Sequence, residues 1–271
     1  MFTFYGRTQP LARYPVDAAL AIVKRLGFDG VEICLENPDL APANLTHERV
    51  QQLGTCCDAL GLARSMSYHM DYIYDDTILA DTRKAIALAP ACGARVFIIS
   101  GTRDPGRADA WPRMVERTRE LVQAAEAAGV TLALEFEPDF IVGSTAALHR
   151  LFDAIPSPHL QANLDLGHVF LCDPDPMQAI AGLAGRIAHG HIENMAHGVH
   201  CHLPPWTGDM DLRAYLQALA AIDFHGPLAL DLYNEDYEAI GTRALTCLRA
   251  MGSDKSDHPS DLSHSSDSSD K

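Results

Sequence analysis

Lysine is nearly missing from this chain: Lys24, Lys84, Lys255 and Lys271 are the only four in 271 residues. The first two fall in stretches with helical apolar spacing and the last two in a polar C-terminal run. No lysine therefore stands at the end of a strand, where imine-forming chemistry would need one, and Schiff-base aldol catalysis is excluded. No CxxC, GxSxG, GxGxxG or P-loop motif occurs, which removes zinc fingers, α/β-hydrolases, dinucleotide folds and P-loop NTPases. The seven cysteines are odd in number and irregularly spaced, so they read as reduced thiols and not as a disulfide framework. No apolar run approaches the length of a membrane span, because charged residues interrupt each one. The start, MFTFYGRTQP, has no basic region ahead of an apolar one and does not read as a signal peptide. A soluble cytoplasmic protein without a membrane partner is expected. Basic residues are also in short supply, 21 Lys+Arg against 36 Asp+Glu, for a net charge of −15. Such a surface repels phosphate backbones, so nucleic acid is not the expected partner.

What the chain does have is a repeated phrase. RLGFDGVEICLE, ALGLARSMSYH, ACGARVFIISG and AAGVTLALEFE each give a helix end, a glycine and an apolar strand. Glycine there adopts the left-handed conformation that stops a helix. The intervals match one strand, one helix and two loops, and a repeated βα unit implies a parallel sheet. Continuing the phrase predicts eight strands, near 2–6, 30–36, 63–69, 95–101, 131–137, 160–166, 187–193 and 227–233. Val16, Ala19, Leu20, Val23 and Leu26 share one helical face between the first two. Eight such units over residues 1–252 predict an α/β fold, a single-domain (β/α)8 TIM barrel. A doubly wound open sheet is the runner-up, but it lacks a glycine-rich phosphate fingerprint after the first strand. From Ser253 the chain reads SDKSDHPSDLSHSSDSSDK. That composition cannot bury a core and predicts a disordered tail over 253–271.

Several strands end against their own pattern. Glu135 breaks LALEFE, Asp165 breaks NLDLGH, His191 breaks HGHIEN and Asp231 breaks LALDLY. Taken singly, each has an ordinary use: Asp165 as a helix cap, His191 as a hydrogen-bonded core histidine. Together they deliver three carboxylates and an imidazole from consecutive strands to the carboxyl-terminal mouth, where barrels carry their chemistry. The anions would repel one another unless a divalent cation compensates them. An oxygen-rich set with one nitrogen favours Mn2+, Mg2+ or Co2+, with Zn2+ compatible.

The motifs LALEFEP, NLDLGH, GHIENMAHGVHCHLPPWTGDMDL and GPLALDLY resemble those of the xylose isomerase-like TIM-barrel superfamily, which includes sugar isomerases and epimerases, hydroxypyruvate isomerase and endonuclease IV. The resemblance implies metal ligands at Glu135, Asp165, His191 and Asp231. It implies proton transfer by Glu135 and Asp231, with His168 and His202 binding substrate oxygens. One departure stands out: the last ligand is usually Glu, and Asp231 is shorter by a methylene. Glu137 is a candidate to share the acid–base work if the fifth strand continues regularly. In the endonuclease IV branch the loop after strand seven supplies further zinc ligands; His200 and His202 stand near those places, so a second ion with His168 is a lesser alternative. His69, Glu36 and Arg103, following strands three, two and four, are expected substrate contacts. His189 and His197 are expected to be packed or exposed without a role.

The resulting expectation is a divalent-metal-dependent isomerase or epimerase of a small keto sugar or polyol derivative, moving a proton through a metal-stabilised enediolate. The alternatives are a metal-dependent dehydratase or lyase on a polyol or cyclitol, a multi-zinc phosphodiesterase, and a non-catalytic subunit. Related barrels commonly pair, so a homo-oligomer is expected.

Overall fold

The computed structural model describes residues 2–253 other than Tyr233. Eight parallel strands close into a barrel: β1 (Thr3–Arg7), β2 (Gly30–Cys34), β3 (Ala63–Ser67), β4 (Val96–Ser100), β5 (Thr131–Glu135), β6 (Leu160–Asp165), β7 (Ile187–Ile192) and β10 (Pro227–Leu230). β1 pairs with both β2 and β10, which closes the ring and rules out the open sheet. Each strand falls where the repeated phrase put it, one to three residues shorter at its C-terminal end in most cases. The predicted tail lies outside the described residues except for Ser253, the last residue of helix α9 (Tyr237–Ser253).

The helices form the outer layer for the expected reason. α1 (Val16–Leu26) buries Val16, Ala19, Leu20, Val23 and Leu26, the face read from the sequence, and adds Ile22. α2 (His47–Leu60), α3 (Asp76–Cys92) and α4 (Ala110–Ala128) follow. Gly27, Gly61, Gly93 and Gly129 close these four helices at φ between 62° and 95°, where a side chain would be strained. α5 (Thr145–Ala154) starts at Ser144, whose hydroxyl accepts from the Ala147 amide. α6 (Leu166–Cys172) begins directly off β6, and α7 (Pro176–Gly182) and α8 (Leu212–Ala221) complete the layer. None of the described helices is long and apolar enough to cross a membrane. All seven thiols are free; Cys34, Cys57 and Cys92 are buried and the rest half-buried.

Two features set the mouth. β5, β6 and β7 are in register so that Glu135 faces Asn163 and Asp165 faces His191 across the ladder. After β7 the chain forms an antiparallel hairpin, β8 (Asn194–Ala196) and β9 (Val199–Leu203), in place of the histidine-rich loop that the sequence suggests. Its extended second strand puts His200 and His202 on the same side, as their spacing requires.

Candidate active site

Where a parallel strand is buried on both faces, a polar residue within it needs a partner inside the barrel. That requirement builds the site. The His191 imidazole sits at its centre, and its Nδ1 is 3.1 Å from Glu135, 3.7 Å from Asp231 and 3.8 Å from Asp165. Its Nε2 is 2.7 Å from Glu32, which rises from the middle of β2 on the opposite wall. Glu32 also accepts from Arg7 Nε at 3.1 Å, and Arg7 reaches on to Asp231. Asn163 donates to Glu135 at 2.7 Å, and its amide oxygen lies 2.8 Å from His189 Nδ1, which fixes the carboxylate from below.

Burial by itself would drive these charges towards neutrality, and the pairing reverses that. Burial works to raise the Glu135 carboxyl, but His191 and His69 outweigh it and hold it well below its ordinary value. Glu32 behaves alike, burial being overcome by Arg7 and then His191. His191 is pushed down by burial and pulled well up by Glu135 and Glu32, so both its nitrogens carry protons in the metal-free chain. Glu193, buried under the Gly167 amide at 2.9 Å, is pushed well up by burial and then by Asp165 and Asp231. Glu137, on the wall above Glu135, is raised by burial and by Glu135 itself.

These residues fit a divalent cation. Glu135, Asp165 and His191 offer one atom each within 4.8 Å of one another, and the second oxygen of Asp165 is buried with no hydrogen-bond partner. Its first oxygen caps α6 through the His168 amide at 2.7 Å, so the helix-cap reading and the ligand reading are both satisfied by one carboxylate. A carboxylate behind the far nitrogen of a ligating histidine is the usual way such an imidazole is oriented and made more basic.

A second cluster lies on the rim. His168 and His202 turn their Nδ1 atoms to main-chain carbonyls, Phe136 at 2.8 Å and Asp231 at 3.1 Å. Their Nε2 atoms meet His200 Nε2 at 3.0 and 3.3 Å, the grouping anticipated for a second ion.

The cavity at the mouth has a volume of about 150 Å³. It is lined by the expected His69, Glu135, His168, His202 and Asp231, and by Arg7, Gln9, Glu137 and His200. Asp165 and His191 form its floor, 0% and 1% exposed. Glu36 is set back and accepts the His69 amide, steadying a ring whose Nε2 is 3.2 Å from Glu135. Arg103 is not brought in: its loop bridges to Phe140, and the exposed guanidinium pairs with Asp139 at 3.1 Å. His189 packs beneath the site and His197 is exposed on the hairpin. Sequence reasoning missed Arg7, Glu32, Asn163 and Glu193. For Glu32 the signal was present, an acid flanked by Val31 and Ile33 in a buried strand.

Residues 20–251 match the Xylose isomerase-like TIM barrel family. The chain belongs to that family. The chain is 26% identical over 238 residues to the L-ribulose-5-phosphate 3-epimerase of Salmonella paratyphi A, covering 81% of this chain and 82% of the relative. Two solved structures superpose closely. The probable 3-DHS dehydratase of Bacillus anthracis gives a TM-score of 0.78 at 15% identity, over 92% of this chain and 99% of the other. D-psicose 3-epimerase from Clostridium cellulolyticum H10, solved with D-tagatose, gives 0.75 at 16% identity, over 93% and 99%. At these identities the two structures establish the shared fold.

Proposed function

We propose that this chain is a divalent-metal-dependent epimerase or isomerase of a small, unphosphorylated keto sugar or polyol derivative. The observation that carries this reading is the convergence of three carboxylates on His191 Nδ1, with Glu32 behind the ring, at the floor of a polar cavity. The curated epimerase relative supports it. Held there by Glu135, Asp165 and His191, an ion such as Mn2+, Mg2+ or Co2+ would supply Lewis acidity, polarising a carbonyl oxygen and acidifying the neighbouring C–H. Glu135 and Asp231 face the cavity and are the carboxylates that take and return the proton. His168 and His202 hold substrate oxygens, their rings fixed by the carbonyls behind them. Return of the proton to the opposite face inverts a carbinol centre; return to the adjacent carbon moves the carbonyl.

The cavity is smaller than the roughly 300–1,000 Å³ typical of drug-sized ligands and suits a short sugar. Among the described residues lining it, Arg7 is the one Arg or Lys, and it is engaged by Glu32 and Asp231. That leaves no cationic seat for a phosphate, in contrast to the substrate in the relative's name.

Glu137 favours a second reading, dehydration: a carboxyl on the cavity wall is placed to hand a proton to a departing hydroxyl. One experiment separates the two. The Mn2+-loaded chain is incubated with a panel of free ketoses and keto-polyols in deuterated buffer. An epimerase or isomerase washes deuterium into an intact carbon skeleton, and Glu135→Gln abolishes the exchange. Loss of water with new ultraviolet absorbance supports the dehydratase; no exchange and no product on any compound refutes both.

A further inference from the structure

Asp231 differs from the other carboxylates around His191 in its second partner: one oxygen lies 3.7 Å from His191 Nδ1, as near as Asp165, and the other meets Arg7. Glu135, Asp165 and His191 group tightly enough to hold one ion, whereas Asp231 groups with Glu193 and His202. The partner at its other oxygen is Arg7. This guanidinium is 3% exposed, anchored through Nε to Glu32 at 3.1 Å, and its Nη1 contacts an Asp231 oxygen. Arg7 is further fixed at its backbone, where its amide donates to the Tyr237 hydroxyl at 3.1 Å and that hydroxyl donates to the Leu230 carbonyl at 3.1 Å. β1 and β10 are adjacent strands of the barrel, so the pair is built into the wall and not formed by a mobile loop.

A buried arginine needs its charge balanced, and removing either carboxylate leaves it exposed to a low-dielectric surrounding. A divalent ion drawing on the Asp231 carboxylate would be set against a fixed positive charge in contact with that carboxylate's other oxygen.

We propose that Asp231 is the counter-ion of Arg7 and not a ligand, so that this chain holds its ion with three protein groups, Glu135, Asp165 and His191. This rests on the metal-dependent reading above. The Arg7–Asp231 pair takes the place of a fourth ligand. It would leave one more coordination position for substrate oxygens and keep Asp231 for the proton transfer proposed above.

The test is Mn2+ binding by titration calorimetry, without substrate, on the full chain and on Glu135→Gln, Asp231→Asn and the double variant Arg7→Met/Asp231→Asn. Glu135→Gln is expected to weaken binding at least tenfold. Asp231→Asn is expected to change it less than threefold. The double variant removes both charges, so neither is left unpaired, and it decides the matter if Asp231→Asn alone does not fold; its affinity is expected to stay within threefold of the parent chain. Loss of Mn2+ in Asp231→Asn or the double variant as large as in Glu135→Gln overturns the three-ligand assignment and restores Asp231 to the ion. A parent chain that binds no divalent ion overturns the metal-dependent reading along with it.

Discussion

Glu32→Gln tests whether the site is oriented from behind. The carboxylate is fully buried and serves two partners, His191 Nε2 at 2.7 Å and Arg7 Nε at 3.1 Å. Glutamine keeps the shape but has one accepting oxygen and no charge, so it cannot satisfy both. Loss of the group behind a ligating imidazole typically costs about 10–100-fold in metal affinity, which is about 1.4–2.8 kcal/mol. The fold is affected as well. Breaking a buried ion pair from one side costs about 3–5 kcal/mol. Here Asp231 still touches Arg7, so the lower end applies, about 3 kcal/mol. For a chain of this size that is a fall in Tm of roughly 6–12 °C. The assay is a thermal melt with and without Mn2+, together with calorimetric titration. The expected result is a lower Tm and a smaller Mn2+-induced rise. A Glu32→Gln chain that melts lower yet binds Mn2+ like the parent would refute the orienting role and leave Glu32 as a partner of Arg7 only.

Other outcomes follow from the same geometry. Because His191 is held protonated in the metal-free chain, Mn2+ must displace a proton, and its affinity rises with pH by up to about tenfold per unit below that raised value; titrations in two buffers of different ionisation enthalpy should show proton release, and equal heats would contradict it. His189 is pushed down by burial to about 3, so it stays neutral in the fold while the unfolded chain takes up a proton below its ordinary 6.5. Its contribution to stability is therefore complete above that value and is lost on acidification towards 3, at about 1.4 kcal/mol per pH unit. Urea midpoints between pH 7 and pH 5 should fall more steeply for the parent than for His189→Gln, and equal slopes would count against it. A Cβ at Gly167 would lie 2.2 Å from a Glu193 oxygen and 2.3 Å from the Met195 methyl. Gly167→Ala should cost about 1–3 kcal/mol in denaturant unfolding, the usual penalty for overpacking; unchanged stability would mean these side chains yield freely.

The barrel could be read from sequence because its unit repeats: the same glycine stop and buried strand recur, and each recurrence confirms the period. The acids at 135, 165 and 231 were legible because a charge interrupting an apolar run has to be explained by something outside that run. That signal is positional, however, and belongs to strand ends alone. Glu32 violates the apolar pattern as plainly as Glu135 does, but it sits one layer deeper, in the middle of β2. What explains it lies 25 residues away in Arg7 and 159 away in His191, and no local spacing encodes such a closure. Arg7 was invisible for the complementary reason. An arginine at the end of a first strand looks like an ordinary surface residue until the ring closes and places β1 against β10, which turns it towards Asp231. Candidate ligands of an ion can thus be read one strand at a time, whereas the cations and carboxylates that surround them meet only across the barrel. The shortened residue at 231 belongs to that second class: read alone it is a defective ligand, and read beside Arg7 it is half of an ion pair.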